Sequence, residues 1–316
     1  MLLIMCTPSG HTDLQEFATM ASAWPLLTWH VLTMPEDHTH KLLPTTASPW
    51  SFTRDRWHVA LSTKRNMSLL VARLCRWKTL VMVDDDIVNI AADQVQAAAD
   101  RLTRARAVGL AVPDFPDNSV VCHANRLGGG HQDVFVGASA LAVDVERPFG
   151  FFPNIYNEDW LFLYDGVADQ VVGRFDAVTQ LQYDPFDTRH RARTQELGDI
   201  IAEGVMGALH ERPDLHPPMD EDYWSAFLQA RAEFSAVATR RLDARDEQHA
   251  KARRSLAAAD HSRNFITPYL CVDFVRRWRG DLVRWREQID RLPHLGGVDA
   301  AANYLGLSGR LEELPA

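Results

Sequence analysis

The stretch KTLVMVDDDIVNI, from Lys78 to Ile90, combines a run of β-forming residues with three consecutive aspartates and a second apolar run. The residues TLVMV predict a central strand, because β-branched and apolar side chains fit the buried surface of a sheet. Asp84, Asp85 and Asp86 follow at its carboxyl end, which is where open α/β sheets place their ligands. We therefore expect an α/β fold with a functional site at this strand end.

The three aspartates also indicate what that site would bind. Alternate side chains of an extended chain share a face, so we expect Asp84 and Asp86 on one side and Asp85 on the other. Crowded carboxylates repel unless a cation lies between them. Mg²⁺ and Mn²⁺ take oxygen ligands and leave positions for phosphate oxygens. The run predicts a divalent metal site, and the alternative is one helix-capping acid with two solvated neighbours.

The composition limits the class of protein. The 316 residues, 46% of them hydrophobic, suffice for one large α/β domain or two smaller ones. A net charge of -9 without a long block of either sign argues against nucleic-acid binding. Four widely spaced cysteines favour reduced thiols in a cytoplasmic protein. MLLIMC is predicted as a first strand and not a signal peptide, and no apolar run has the roughly 18 residues of a membrane span.

The first two thirds of the chain alternate between short apolar runs and helical patterns. This alternation predicts β–α units and a mostly parallel, Rossmann-like sheet flanked by helices. The predicted strands are LLIMC, WHVLTM, TLVMV, AVGLAV, SVVCHAN and DVFVGASALAVDV, and the predicted helices are DLQEFATMASAW, LSTKRNMSLLVARLCRW and the segment from about residue 91 to 106. NEDWLFLYD predicts a short helix capped by Asn157.

Long helical patterns follow from about Arg189. They comprise RARTQELGDIIAEGVMGALH, the segment from Asp220 to about Ala259, and CVDFVRRWRGDLVRWREQI. The last has a helix-packing stripe at alternating four- and three-residue spacing, made of Cys271, Val275, Trp278, Leu282, Trp285 and Ile289. We predict an α/β domain over 1–210 and a helical region over 211–316 that packs on it or forms a homodimer interface.

Two further segments carry groups suited to ligand binding or catalysis. Lys64 and Arg65 are expected at a helix start, where outward-facing amides favour a diphosphate; a solvated basic helix start is the alternative. Glu158 and Asp159 lie beside aromatic residues in PNIYNEDW. An acid held against such a surface can be desolvated enough to act as a general base, although acids also occur there as simple caps.

Taken in order, the basic helix segment, VMVDDDI, the glycine-containing strand entry and NEDW resemble nucleotide-sugar-dependent glycosyltransferases of the GT-A fold, particularly glycosyltransferase family two. The resemblance covers roughly residues 1–210. It implies an Asp-x-Asp motif that binds Mn²⁺ or Mg²⁺ and the diphosphate, and a later Glu-Asp pair that supplies the catalytic base.

The resemblance assigns roles to particular residues. It implies donor contacts by Thr7, Pro8, Ser9, Lys64, Arg65, Asp84 and Asp85, metal ligation by Asp86 with Asp84 and His190, acceptor contacts by Gly137, Ala138, Ser139 and Trp160, and a base at Asp159 with Glu158 beside it. There are two departures from the family's pattern. MCTPSGHTD replaces the usual motif after the first strand, and the C-terminal histidine ligand has no clear match, His190 and His210 being the candidates.

The predicted function is transfer of a sugar from a UDP or GDP sugar to an acceptor hydroxyl or similar nucleophile, with inversion. The acceptor class stays open between a small molecule, a glycan and a peptide. Two alternatives also stay open. One is nucleotidyl or phosphoryl transfer at the same aspartates, although TPSGHTDL lacks the expected Gly-rich basic loop. The other is a non-catalytic nucleotide-sugar-binding protein.

Overall fold

The computed structural model describes residues 1–7, 28–47, 56–113, 115, 119–131, 136–147, 150–211 and 218–310. Its strands are β1 (Leu2–Cys6), β2 (Trp29–Thr33), β3 (Thr79–Val83), β4 (Ile87–Val88), β5 (Ala107–Ala111), β6 (Ala140–Asp144), β7 (Val172–Ala177), β8 (Thr179–Gln180) and β9 (Ser308–Arg310). Its α-helices are α1 (Arg56–Leu74), α2 (Ala92–Asp100), α3 (Val120–Leu127), α4 (Glu158–Ala168), α5 (Arg189–Glu211), α6 (Glu221–Arg241), α7 (Glu247–Arg263), α8 (Pro268–Asp290) and α9 (Val298–Leu305). Pro8, Ser9 and the helix predicted over DLQEFATMASAW lie outside the described residues.

The described strands form three small sheets. β1 and β2 are parallel, and β9 joins β2 antiparallel. The largest sheet has the order β3-β6-β5-β7, and β4 pairs antiparallel with β8. The protein is therefore an α/β protein with mixed sheets, where we expected a mostly parallel one. β3, expected in the centre, pairs with β6 alone among the described strands.

One reversed strand explains the mixed pairing of the largest sheet. β6 runs antiparallel to both β3 and β5, while β7 is parallel to β5, so β3, β5 and β7 share one direction. The chain leaves β5 at Ala111 and enters β6 at Ala140, at the same end of the sheet. Between them, α3 packs on α5, α6 and α7. A parallel connection needs a crossover that returns along the sheet, and α3 does not provide one.

SVVCHAN, predicted as a strand, instead begins helix α3. Ser119 caps this helix, since its Oγ accepts a hydrogen bond from the backbone N of Cys122 at 3.3 Å. Val120, Val121 and Ala124 are buried in an apolar cluster with residues of α6 and α7. A short apolar run is compatible with either a buried strand or a buried helix. Here the cap by Ser119 and packing against helices favour the helix.

The helical stripe predicted in the C-terminal third is confirmed within α8. All six of its residues are buried, Trp278 completely. They belong to one apolar cluster that also includes Leu141 of β6 and Phe162 of α4. This cluster contains residues from both sides of the predicted domain boundary at residue 210, and the boundary itself stays a prediction. The segment predicted as one helix from Asp220 to about Ala259 is divided into α6 and α7.

None of the described helices combines the length and the apolar character that crossing a lipid bilayer requires.

Two adjacent residues of α8 test whether this helix is part of the core. Leu282 is 3% exposed and Val283 is 57% exposed. We predict that Leu282→Ala lowers the free energy of unfolding by about 2 to 5 kcal/mol, because it leaves a cavity in the apolar cluster. Val283→Ala should change it by less than about 0.5 kcal/mol. Urea unfolding followed by tryptophan fluorescence measures both, and equal midpoints would contradict the assigned packing.

Candidate functional site

The three aspartates lie in a turn between β3 and β4. The backbone N of Ile87 donates to Asp84 O at 3.1 Å, and the N of Leu181 donates to Asp86 O at 2.8 Å. The N of Asp84 donates to Ser139 O at 2.8 Å, which joins the turn to the start of β6. We expected strand alternation to put Asp84 and Asp86 on one side, but the strand ends at Val83. Alternation therefore does not set the directions of the three carboxylates.

Arg65 of α1 connects this turn to the Glu-Asp pair. Its Nη2 donates to both carboxylate oxygens of Asp84 at 2.9 Å, and its Nη1 donates to Glu158 Oε1 at 2.5 Å. The Arg65 side chain is 8% exposed, and its guanidinium lies 5.6 Å from the ring centroid of Phe152. Charge-assisted hydrogen bonds away from water are strong, so Arg65 fixes the two acids relative to each other.

The position of Lys64 and Arg65 differs from the prediction. We expected them at a helix start, but α1 begins at Arg56, which puts both residues in the helix interior. The helix amides there are bonded within the helix and are not available to a diphosphate. Lys64 is half-buried and Arg65 is buried in the ion pairs just described. Arg65 thus organises the acids, and a direct donor contact by either residue stays a prediction.

Asp159 is oriented by two backbone amides. Its Oδ2 accepts a hydrogen bond from the N of Ala138 at 2.8 Å, and its Oδ1 accepts one from the N of Trp160 at 2.9 Å. Gly137 lies beside the same carboxylate, since a Cβ built there would be 3.6 Å from Asp159 Oδ2. The strand entry at 137–139 and the acid pair, which we predicted separately, are therefore in contact.

Asn157 precedes α4 but does not cap it through its side chain. Its backbone is left-handed, with a φ of 57°. Its Nδ2 donates to Asp199 Oδ1 of α5 at 2.7 Å, and no side-chain cap bond is made. The predicted cap is thus wrong, because a buried acceptor from another helix takes this side chain.

Three carboxylates surround the single guanidinium of Arg65. Burial raises the pKa of Glu158 to about 8; Arg65 opposes this rise, and the charges of Asp159 and Asp84 add to it. Burial also raises the pKa of Asp159 and that of Asp84, again against Arg65. One buried cation cannot neutralise three carboxylates. A proton is therefore retained within this group near neutral pH, on Glu158.

Asp86 has a partner that the sequence did not indicate. The Nε2 of Gln180 donates to Asp86 Oδ2 at 2.8 Å. Gln180 is 4% exposed, and its Oε1 is buried without a hydrogen-bond partner in the described part of the chain. The pairing of Gln180 with Ile87, between β8 and β4, brings it there. No local pattern signals a residue almost a hundred positions away, so reasoning from sequence missed it.

The other predicted residues are more dispersed. Asp85 is exposed in the turn, Thr7 follows β1, and Trp160 is half-buried next to Asp159. His190 is exposed in the first turn of α5. Its ligand atoms do not form a close group with those of Asp84 and Asp86. A role for His190 as third metal ligand stays a prediction.

Within the described ranges, one group of three potential ligand atoms lies within 4.8 Å of one another, and it consists of Cys122, Asp199 and Glu203. Arg231 of α6 already occupies this group. Its Nη2 lies 2.5 Å from Asp199 Oδ2 and its Nη1 lies 2.9 Å from Glu203 Oε2. The guanidinium supplies the positive charge there, so these acids form an ionic network and give no support to a second metal site.

Comparison with known proteins finds no match to a family model, to a curated protein or to a solved structure. The geometry around Arg65 is therefore the basis for assigning a function.

Titration of Glu158 should make stability depend on pH. Its pKa is 4.5 ordinarily and about 8 in the folded protein, so between these values the unfolded chain has released a proton that the folded chain still holds. Rising pH then favours unfolding. We predict that the urea concentration at the unfolding midpoint decreases as the pH is raised from about 5 to about 8. The decrease should be smaller in Glu158→Gln. Comparing variant with unaltered chain removes the effect of other titrating groups.

Glu146→Gln is the matched control for this measurement, because Glu146 is exposed. It should reproduce the pH dependence of the unaltered chain. If Glu158→Gln did the same, Glu158 would not be the group that retains the proton.

Proposed function

We propose that this protein is a metal-dependent glycosyltransferase of the GT-A type. It would move a sugar from a UDP or GDP sugar to an acceptor hydroxyl or similar nucleophile, with inversion. The observation that carries the proposal is the contact of Arg65 with both Asp84 and Glu158. This contact joins the aspartate turn to the adjacent Glu158 and Asp159, beyond the carboxyl end of β3. The shared direction of β3, β5 and β7 supports it, since α/β sheets bind ligands at that edge.

The groups around the turn fit a hard divalent cation. Asp85 and Asp86 offer carboxylate oxygens, and Gln180 adds a buried amide oxygen without a partner among the described residues. A donor set made only of oxygen suits Mg²⁺ or Mn²⁺. Asp86 would hold the ion with Asp85, while Asp84, already bonded to Arg65, would face the sugar or ribose. When bound, the cation neutralises the charge that develops on a diphosphate leaving group.

Asp159 is the best-supported acceptor for the proton of the incoming nucleophile. Burial raises the pKa of Glu158 to about 8, so Glu158 holds a proton at neutral pH and the proposal gives the base role to Asp159. The amides of Ala138 and Trp160 hold the Asp159 carboxylate in one orientation. Burial raises the pKa of Asp159, which makes it a stronger base. Gly137 lies beside this carboxylate, and Gly137 and Ser139 are half-buried, which leaves part of each for contact with an acceptor.

Nucleotide binding tests the first half of this proposal. We predict that one nucleoside diphosphate raises the melting temperature in the presence of Mn²⁺, because a ligand at a hundred times its Kd stabilises the folded state by about 2.7 kcal/mol. Asp86→Ala should melt near the unaltered chain without ligand and lose the Mn²⁺-dependent rise. Asp93→Ala, which removes an exposed acid in the first turn of α2, should keep it. No Mn²⁺-dependent shift with any nucleotide would contradict the proposal.

Measurement of turnover tests the second half of the proposal, the role of Asp159 as the base. Asp159→Asn should keep the nucleotide-induced thermal shift and lose roughly a hundredfold or more in kcat, because a positioned base contributes about this much. Asp165→Asn, on the same helix, should retain turnover. The assay is release of nucleoside diphosphate with NMR of the product's anomeric configuration.

The products also separate the rival functions. Retention at the anomeric centre would make Asp159 a positioning residue and rule out the inverting mechanism. Pyrophosphate or phosphate as the released group would indicate nucleotidyl or phosphoryl transfer. Binding of a nucleotide sugar without any release would indicate a non-catalytic binding protein.

A further inference from the structure

We infer that a buried ionic network on α5 and α6 positions the catalytic acid pair, and that Asn157 is the residue through which it does so. This inference rests on the proposed function. It adds positioning residues, Asn157, Asp199 and Arg231, that the resemblance to glycosyltransferases does not assign.

The network is centred on Arg231 of α6, whose side chain is 2% exposed. Its Nη2 lies 3.1 Å from Glu196 Oε2 and 2.5 Å from Asp199 Oδ2, and its Nη1 lies 2.9 Å from Glu203 Oε2. These three acids lie on one helix, α5. A buried guanidinium with several carboxylate partners has few alternative positions, because losing any partner would leave a desolvated charge uncompensated. The network therefore fixes α5 against α6.

Asp199 connects the fixed helix α5 to the segment before α4, residues 156 and 157. Its Oδ2 contacts Arg231, and its Oδ1 accepts the hydrogen bond from Asn157 at 2.7 Å. The bond holds Asn157 in the left-handed conformation, with a φ of 57°. Such a backbone is uncommon outside glycine and requires support from its surroundings.

A second contact holds the same segment independently. A Cβ placed on Gly198 would lie 2.2 Å from Tyr156 O and 2.7 Å from Tyr156 N. The backbone of residue 156 thus lies directly on α5, at a distance that only glycine permits. Two consecutive residues of α5, Gly198 and Asp199, therefore hold two consecutive residues of the segment.

The residues that follow this segment are the acid pair. Asp159 faces the amide of Ala138, and Glu158 faces Arg65. The turn at Asn157 sets the direction in which α4 begins and so which way each acid points. The helical region beyond residue 210 contributes Arg231 to this arrangement, which gives it a role in the site. Asn157, Asp199 and Arg231 touch neither donor nor acceptor in this scheme; they act through Glu158 and Asp159.

Asn157→Gly tests the hydrogen bond alone, because glycine adopts the left-handed conformation without strain. We expect kcat for release of nucleoside diphosphate to fall roughly tenfold to a hundredfold, since misplacement by about 1 Å has effects of this size. The KM for the donor should change by less than about twofold, because Arg65 and Gln180 still hold Asp84 and Asp86. The matched control is Tyr223→Phe, which removes another hydrogen bond between α6 and α5, from Tyr223 Oη to Gly204 O at 2.6 Å. It should leave kcat within about twofold.

A second measurement does not depend on turnover. Amide hydrogen exchange of Ala138 and Trp160 reports the two bonds that Asp159 accepts, and local opening is seen as faster exchange at these positions alone. Both should exchange at least roughly tenfold faster in Asn157→Gly and at the unaltered rate in Tyr223→Phe.

The outcomes separate the two proposals. If the unaltered chain releases no nucleoside diphosphate from any donor, the proposed function fails, and exchange at Ala138 and Trp160 alone decides the positioning role. Where turnover is measurable, a native kcat in Asn157→Gly overturns the inference. So does exchange that is unchanged at both amides, or that accelerates equally throughout the protein, which would make Asn157 a residue of general stability.

Discussion

The ion pairs of Arg65 are the interaction on which the arrangement of the site depends. A guanidinium removed from water loses hydration that only well-placed acceptor oxygens restore, and the two carboxyl groups that supply them come from separate parts of the chain. Asp84 follows β3, and Glu158 begins α4. A single side chain of α1 thereby fixes the aspartate turn against the acid pair. Neither group could move far without depriving the buried guanidinium of one of its hydrogen-bond acceptors.

The same principle appears a second time around Arg231, with a different consequence. In both places the carboxylates outnumber the guanidinium, and burial raises acid pKa values, that of Asp199 to about 6. Two of the three carboxylates beside Arg231, Glu196 and Asp199, are 0% and 1% exposed, whereas Asp84 beside Arg65 is 26% exposed. An excess of negative charge that solvent can reach is able to take up a cation or a polar ligand. An excess of negative charge that is buried away from solvent instead holds helices together through its ion pairs.

Several elements were predictable because their signals are local. TLVMV as a strand before the aspartates, and the α8 stripe as a buried seam, follow from side-chain periodicity alone. The predictions of secondary structure were wrong where contacts with residues distant in the sequence determine the structure. SVVCHAN is apolar enough for a strand but is a helix, because it packs on α6 and α7. Lys64 and Arg65 lie inside a helix whose start the polar residues before them did not reveal.

The sequence by itself determined which chemical groups this protein has and roughly where they fall along the elements: a carboxylate run after a strand and an acid pair at a helix start. Only the tertiary structure decided which of these groups meet. Gln180 beside Asp86 and Asn157 beside Asp199 are contacts across 94 and 42 positions, and no local pattern encodes them. The physical reason is that periodicity and capping depend on neighbours within a few residues. Ion pairs and buried hydrogen bonds depend on whatever the folded chain brings within about 3 Å.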